Sequence, residues 1–323
     1  MSIKDRKKTG AIVCANGIGD ALLMMIAASN LKRVGFEVTI FHSKPELLSP
    51  LFESYSFLSF PEIKHWKKTL KDYDLVIVQN DHSERSWTLL RLRERDQISH
   101  LIFFFPTFCS KKKKGDFLFD SKRSVATNIA EGCKKILKLK DPSKNNDLTV
   151  PKGKTYRRFP KRIVIHPTSK SPTKNWPASK YLKLALLLRI KGYSLSFITG
   201  PEERSKWLYV KKKGFDLPDI NNLTEAAEHI FESGFLIGND SAFGHLASNL
   251  KIPTLTISGY PKQILLWRPD WTQGYIVTPP FALPRMKIMT ISLRSYIWKY
   301  LISVRRVLKK FYCLEKTIQP KVI

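Results

Sequence analysis

The sequence predicts an α/β protein made of two successive halves, each a parallel sheet covered by helices. Three observations carry this. Short apolar runs alternate with helical periodicity through the first half, a polar stretch interrupts them near the middle, and the same alternation then restarts. Parallel strands buried on both faces read as short continuous apolar runs, which is the form of the runs here. A chain of 323 residues has room for two domains with substantial cores.

The first half opens with an expected strand from Ala11 to Ala15, the turn Asn16-Gly17-Ile18-Gly19 and a helix from Asp20 to about Val34. Val38 to Phe41, Leu75 to Val78 and Leu101 to Phe105 read as further strands. Between about Lys134 and Lys161 the residues turn to Lys, Asn, Pro and Gly, including Asp141-Pro142-Ser143-Lys144-Asn145-Asn146-Asp147. Such composition marks a linker, so the domains are drawn as 1–155 and 156–323. In the second half Arg162 to Ile165, Tyr193 to Ile198, Phe235 to Ile237 and Thr254 to Ile257 are expected strands. Helices are expected from Ala178 to Ile190, Glu202 to Lys213 and Ser241 to Leu250. Two such halves in sequence imply two Rossmann-like domains facing a cleft, a common place for ligands.

In the tail, Leu293, Ile297, Tyr300, Leu301, Val304, Leu308 and Phe311 fall on one helical face, and Arg294, Lys299, Arg305, Arg306, Lys309 and Lys310 mostly on the other. The expectation is a basic amphipathic helix packing on the body of the protein, with docking on anionic lipid as the alternative. Lys111 to Lys114 reads as a solvated loop.

The 56 Lys and Arg against 27 Asp and Glu leave a net charge of +29, which argues for an anionic partner. The four cysteines form no C-x-x-C pair and the histidines show no ligand spacing, so neither a metal site nor a disulfide framework is expected. No signal peptide and no membrane-spanning run is recognised, and a cytoplasmic protein, with peripheral membrane contact as an option, is expected.

Gly238-Asn239-Asp240-Ser241-Ala242-Phe243-Gly244-His245-Leu246-Ala247 follows an apolar strand and opens a helix. Helix starts carry free N–H groups and partial positive charge, which suit phosphate; Asp240 or Ser241 could equally be a cap. His166-Pro167-Thr168-Ser169-Lys170-Ser171-Pro172-Thr173-Lys174-Asn175-Trp176-Pro177 also joins a strand to a helix, and offers hydroxyls and a Lys to a diphosphate, with Trp176 and Pro177 fixing the helix entry. Thr199-Gly200-Pro201-Glu202-Glu203-Arg204 closes another strand; its acids could accept ribose hydroxyls or serve the helix start. Gly17-x-Gly19 is a poor dinucleotide fingerprint because Leu22 holds the third glycine position. Asp20 is either a first-turn carboxylate or a general base.

Together these segments resemble glycosyltransferase family 9, the bacterial lipopolysaccharide heptosyltransferases. The resemblance implies a GT-B fold and inverting, metal-independent transfer from a nucleotide sugar, usually ADP-heptose, to the anionic lipopolysaccharide inner core, without a cofactor. It implies an acceptor-binding first domain and a donor-binding second domain. Carried over, Asp20 is the base and Lys174 binds phosphate, with Asp240, Ser241, Gly244 and His245 in the donor-binding loop. Thr168, Ser169, Glu202 and Glu203 complete the expected donor contacts. Ala242 stands where the family usually has Gly, and Pro167-Thr168-Ser169 where a Gly-rich loop is common, which leaves the donor's identity open. A nucleic-acid-binding protein is the competing class, but no recognised nucleic-acid module is present and no nucleic acid partner is expected. A non-catalytic relative, and a transferase of the same fold with another sugar or a protein acceptor, also remain open.

Overall fold

The computed structural model describes residues 6–281, 287–288, 291–292 and 294–318. The chain divides into two compact units, Met1–Thr149 and Val150–Ile323.

In the first unit β1 (Lys8–Val13), α1 (Ile18–Arg33), β2 (Phe36–His42), α2 (Pro45–Leu48), β3 (Ser56–Ser59), α3 (Trp66–Leu70), β4 (Leu75–Gln79), α4 (Glu84–Glu94), β5 (Leu101–Phe105), β6 (Phe117–Leu118) and α5 (Val125–Leu137) follow in order. The strands form one parallel sheet, β3-β2-β1-β4-β5-β6. The chain therefore moves outward through β2 and β3, then returns to the other side of β1. Ligands of open α/β sheets bind beyond the strand ends at such a reversal, here β1/β4. Every residue from Ala21 to Leu31 is buried. A helix apolar all round needs cover on both sides, and α1 packs against both β1–β2 and α5. Below the sheet, Phe41, Trp66, Val76, Val78, Leu89, Phe103 and Phe105 share one core, each large side chain contributing about 1.5–3 kcal/mol by leaving water.

The polar linker belongs to this unit. Asn30 donates to Ser143 O (2.8 Å) and accepts from Ser143 N (3.1 Å), Asn146 Nδ2 donates to Leu22 O (2.9 Å), and Thr149 N to Leu51 O (2.9 Å). These bonds, which composition does not reveal, put the division after Thr149 rather than after residue 155.

The second unit runs β7 (Phe159–His166), α6 (Ala178–Ile190), β8 (Ser194–Phe197), α7 (Pro201–Arg204), α8 (Tyr209–Lys212), α9 (Leu223–Phe231), β9 (Ser233–Asn239), α10 (Ala242–Asn249), β10 (Thr254–Ile257), α11 (Pro261–Trp267), β11 (Gly274–Val277), β12 (Lys287–Ile288), β13 (Ile291–Ser292), α12 (Arg294–Leu301) and α13 (Val304–Ile318). Its parallel sheet is ordered β11-β10-β9-β7-β8, and β12 and β13 pair antiparallel. The order reverses at β7/β9.

Two expectations are corrected here. The single helix from Glu202 to Lys213 is instead α7, a 3-10 turn at Ser205–Trp207, and α8. The tighter turn carries Trp207 into the core, where it stacks on Phe197 with centroids 5.8 Å apart; Arg204, held by Leu217 O and Pro218 O, ends the first piece. The basic amphipathic C-terminal helix is likewise two helices. They break at Ile302-Ser303, where Ser303 Oγ accepts from Arg306 N (3.2 Å) and starts α13. The break rotates the buried face: Ile297 and Tyr300 are 40% and 75% exposed, whereas Trp298, Val307, Phe311 and Leu314 are fully buried in the unit's core. Leu293 and the side chain of Arg294 lie outside the described residues. Among the described residues no helix is long and apolar enough to cross a membrane.

Candidate functional site

In the first unit the strand ends at β1/β4 deliver a carboxylate. The β1–α1 turn ends at Gly17, and Asp20 lies in the first turn of α1. A Cβ at Gly17 would overlap Asp20 Oδ2, so a larger residue there would push that carboxylate aside. Gln79, buried at the end of β4, donates through Nε2 to Asp20 Oδ1 (2.9 Å). The orientation of that amide is set from its other end, because Gln79 Oε1 accepts from Ala15 N (3.2 Å). A backbone N–H can only donate, so Nε2 must face the carboxylate. Arg85 steadies the same turn. Its guanidinium donates to Asn16 Oδ1 (3.1 Å), pairs with Asp81 (2.6 Å) and lies 4.1 Å over the Phe60 ring. Beside them, burial, and secondarily the Asp20 charge, push the Cys14 thiol far up, leaving an inert group.

In the second unit the loops after β7, β8 and β9 meet the corresponding edge. Lys174 Nζ pairs with Asp240 Oδ2 at 3.0 Å, the side chains 36% and 16% exposed. Asp240 is therefore neither a helix cap nor solvated. Ser241 occupies the N-cap position of α10, but its hydroxyl makes no cap bond. Thr168 Oγ1, Thr199 Oγ1, Ser241 Oγ and His245 Nδ1 are buried with no hydrogen-bond partner among the described residues. An unmatched buried polar group costs about 1–3 kcal/mol, and four of them lie along this edge. Burial pushes His245 down to about 4, the Asp240 charge opposing and the Lys174 charge adding. The imidazole is thus neutral at pH 7.

Asn239, the last residue of β9, ties these loops together. Its Oδ1 accepts from Trp176 N (2.9 Å) and Tyr181 Oη (2.9 Å), and its Nδ2 donates to Pro167 O (2.7 Å). Ser169 Oγ lies 2.9 Å from Ser171 O and 2.7 Å from Asn175 Oδ1. Its bonds are local, so Ser169 shapes the loop. The His166 ring, depressed to about 4 by burial, stacks on Phe243 at 4.0 Å and bonds Ile198 O through Nδ1. Gly244 is buried in the first turn of α10. Glu202 and Glu203 sit in the first turn of α7 at the same edge, with no hydrogen bond or ion pair to Lys174 or Asp240.

The structure thus brings Thr168, Ser169, Lys174, Asp240, Ser241, Gly244 and His245 to one edge of the second unit, with Glu202 and Glu203 on the adjacent loop, and places Asp20 on the first unit. Sequence reasoning missed Gln79, Arg85, Thr199 as a buried hydroxyl, and Asn239 as a hub. One signal was available: Gln79 and Asn239 are the polar residues that close the apolar runs Leu-Val-Ile-Val and Phe-Leu-Ile-Gly. Among the described residues no cluster of His, Cys, Asp or Glu could hold a metal ion.

Residues 63–272 match the family model for glycosyltransferase family 9 (heptosyltransferase). Over 121 residues the chain is 29% identical to lipopolysaccharide heptosyltransferase 3 of Escherichia coli (strain K12), and this stretch covers 35% of each protein. The chain therefore spans about a third of the length of that curated relative. Among solved structures, a glycosyl transferase family 9 protein from Veillonella parvula DSM 2008 superposes with a TM-score of 0.70 at 16% identity, over 98% of this chain and 100% of that one. The E. coli heptosyltransferase WaaC with ADP gives 0.67 at 14% identity, over 95% and 99%. E. coli ADP-heptose lps heptosyltransferase II gives 0.64 at 16% identity, over 96% and 99%. At these identities the likeness speaks to fold alone, and the fold is GT-B. With the family model matched over most of its length, this chain belongs to glycosyltransferase family 9.

Proposed function

We propose that the protein transfers a heptose from ADP-heptose to the inner core of lipopolysaccharide, with inversion and without a metal. The observation that carries this reading is the Lys174–Asp240 pair flanked by buried, unmatched Thr168, Thr199 and Ser241 hydroxyls at the carboxyl edge of the second unit. A diphosphate offers these groups oxygens to bond, and the amino group of Lys174 neutralises its charge. The structural relatives crystallised with ADP and with ADP-2-deoxy-2-fluoro heptose support adenine nucleotide as the donor half.

In the reaction a bond forms between an acceptor hydroxyl oxygen and the anomeric carbon while the bond from that carbon to the diphosphate breaks. Positive character grows on the sugar and negative charge on the departing ADP. Asp20 takes the hydroxyl proton, and Gln79 holds its carboxylate in place without cancelling its charge. Lys174 stabilises the leaving diphosphate, and Asp240 and His245 receive sugar or nucleotide hydroxyls. Glu202 and Glu203 belong to the ribose end. The +29 charge fits an acceptor rich in phosphate and carboxylate at an anionic membrane surface, and on this reading the protein works in the cytoplasm, at the inner face of the inner membrane.

The deciding experiment offers ADP-heptose with lipopolysaccharide lacking core heptose and follows ADP release and product mass. In parallel, thermal stability is measured with ADP, UDP, GDP and NAD. Heptose transfer and stabilisation by ADP alone, both lost in Lys174→Ala, are the expected results. Stabilisation by UDP or GDP instead would overturn the donor, and transfer unaffected by Asp20→Ala would overturn the base.

A further inference from the structure

The turn that carries Lys174 is fastened to the far end of the chain. Trp298 Nε1 donates to Thr173 O (3.1 Å), the carbonyl next to Lys174, and Lys299 Nζ donates to Pro172 O (2.9 Å). Bonds also run the other way. Trp176 Nε1 donates to Ile302 O (3.1 Å), and Lys180 Nζ reaches Lys299 O (2.8 Å), Tyr300 O (3.1 Å) and Ile302 O (2.9 Å). Those are carbonyls at the close of α12, which a helix end leaves unmatched, so Lys180 caps the helix that in turn grips the Lys174 turn. The indole of Trp298, fully buried, lies so close over Gly259 that a Cβ there would overlap its ring. One side chain therefore fixes two loops at the carboxyl edge, those after β7 and β10.

The turn needs such an anchor. Pro172–Lys174 is a single 3-10 turn whose own backbone bonds, Lys174 N to Ser171 O (2.9 Å) and Asn175 N to Pro172 O (3.2 Å), are local. Nothing in a three-residue turn resists rotation that would swing a long side chain away from its target. With two of its carbonyls committed to the tail, and Trp176 N committed to Asn239, the turn can present Lys174 in one direction, where it meets Asp240.

We propose that the tail segment from Trp298 to Ile302 is a positioning element for Lys174, and so for recognition of the donor's diphosphate, although none of its residues contacts the donor. The proposal rests on the donor-site reading above. It is tested by measuring the affinities of ADP and adenosine calorimetrically for the wild type, Trp298→Phe, which keeps a ring but loses the N–H, and Lys299→Met, which leaves the Trp298 contacts in place. Val307→Ala, a cavity under α13 away from the turn, serves as a purely structural control. The expected result is ADP binding roughly 3- to 10-fold weaker in Trp298→Phe, as for loss of one partly buried hydrogen bond, and about 2- to 3-fold weaker in Lys299→Met, whose bond is exposed, with adenosine affinity unchanged in both. Combined with Lys174→Ala, Trp298→Phe should weaken ADP no further, because the two act through one contact. Unchanged ADP affinity, or equal weakening of ADP and adenosine as in a general loosening, would overturn the proposal. Should Trp298→Phe not fold, Lys299→Met decides alone. A wild type that ignores ADP but binds another nucleotide would instead overturn the donor reading.

Discussion

Two aspartates stand beside the sheet reversals of the two units, one after the first strand and one after the strand across the reversal, and their neighbours differ. Asp20 follows β1 at the β1/β4 reversal and accepts from the neutral amide of Gln79. Asp240 follows β9 at the β7/β9 reversal and pairs with the Lys174 ammonium. A neutral donor orients a carboxylate without itself cancelling its charge. A cation cancels that charge, and the resulting pair is one that an entering diphosphate can divide. On the proposed reading, the same residue type beside the two reversals serves proton transfer in one unit and anion binding in the other.

The largest effect that would break this contrast is on turnover. Asp20→Asn should lower kcat by about 10²–10⁴ with ADP affinity unchanged, measured by steady-state kinetics beside calorimetry; turnover within a few-fold of wild type would end the comparison. Lys174→Met should act on the other side, weakening ADP about 10- to 100-fold, as loss of a charge-assisted contact predicts. It also leaves Asp240 partly buried without its cation, so the ligand-free protein should melt at lower temperature. Gln79→Leu sharpens the comparison within the first unit. Losing the amide donor should reduce kcat about tenfold and move the acid limb of the kcat/KM profile to higher pH, because that N–H favours the ionised carboxylate. An unmoved limb would reduce Gln79 to a packing residue.

The smallest expected effect separates the units by acid sensitivity. His166 and His245, both in the second unit, are held at about 4 by burial, below the ordinary 6.5. Between those values the unfolded chain binds protons that the folded chain refuses. Stability is therefore complete above about pH 6.5 and is lost as pH falls toward about 4, on the order of 1–2 kcal/mol per histidine by pH 5. In the first unit His42 is also lowered by burial. Urea unfolding at pH 7 and pH 5 should show the second unit's transition shifting further; equal shifts would refute the assignment.

Much of the frame was legible. The Val-Ile-Val and Phe-Leu-Ile runs announce buried parallel strands, and the helix from Ala178 to Ile190 lies where its periodicity placed it. The edge strands were not legible. Ser56–Ser59 is largely exposed and β6 has only two residues, so neither leaves an apolar signature. Within the candidate site, the placement of Lys174, Asp240 and Ser241 between a strand and a helix could be read, while their proposed roles came from the family resemblance. Their partners could not, since Gln79 lies 59 residues from Asp20 and Asp240 lies 66 from Lys174.

By itself the sequence determined two α/β halves, the loops that carry polar residues to the strand ends, and a strongly basic charge, because strand burial, helix starts and net charge are local or summed properties of the chain. Only the tertiary structure decided that Gln79 serves Asp20, that Lys174 faces Asp240, that the linker belongs to the first unit and that Trp298 holds the Lys174 turn. These are contacts between distant residues, formed when the sheet order brings separate strand ends together. Spacing along the chain does not encode that order.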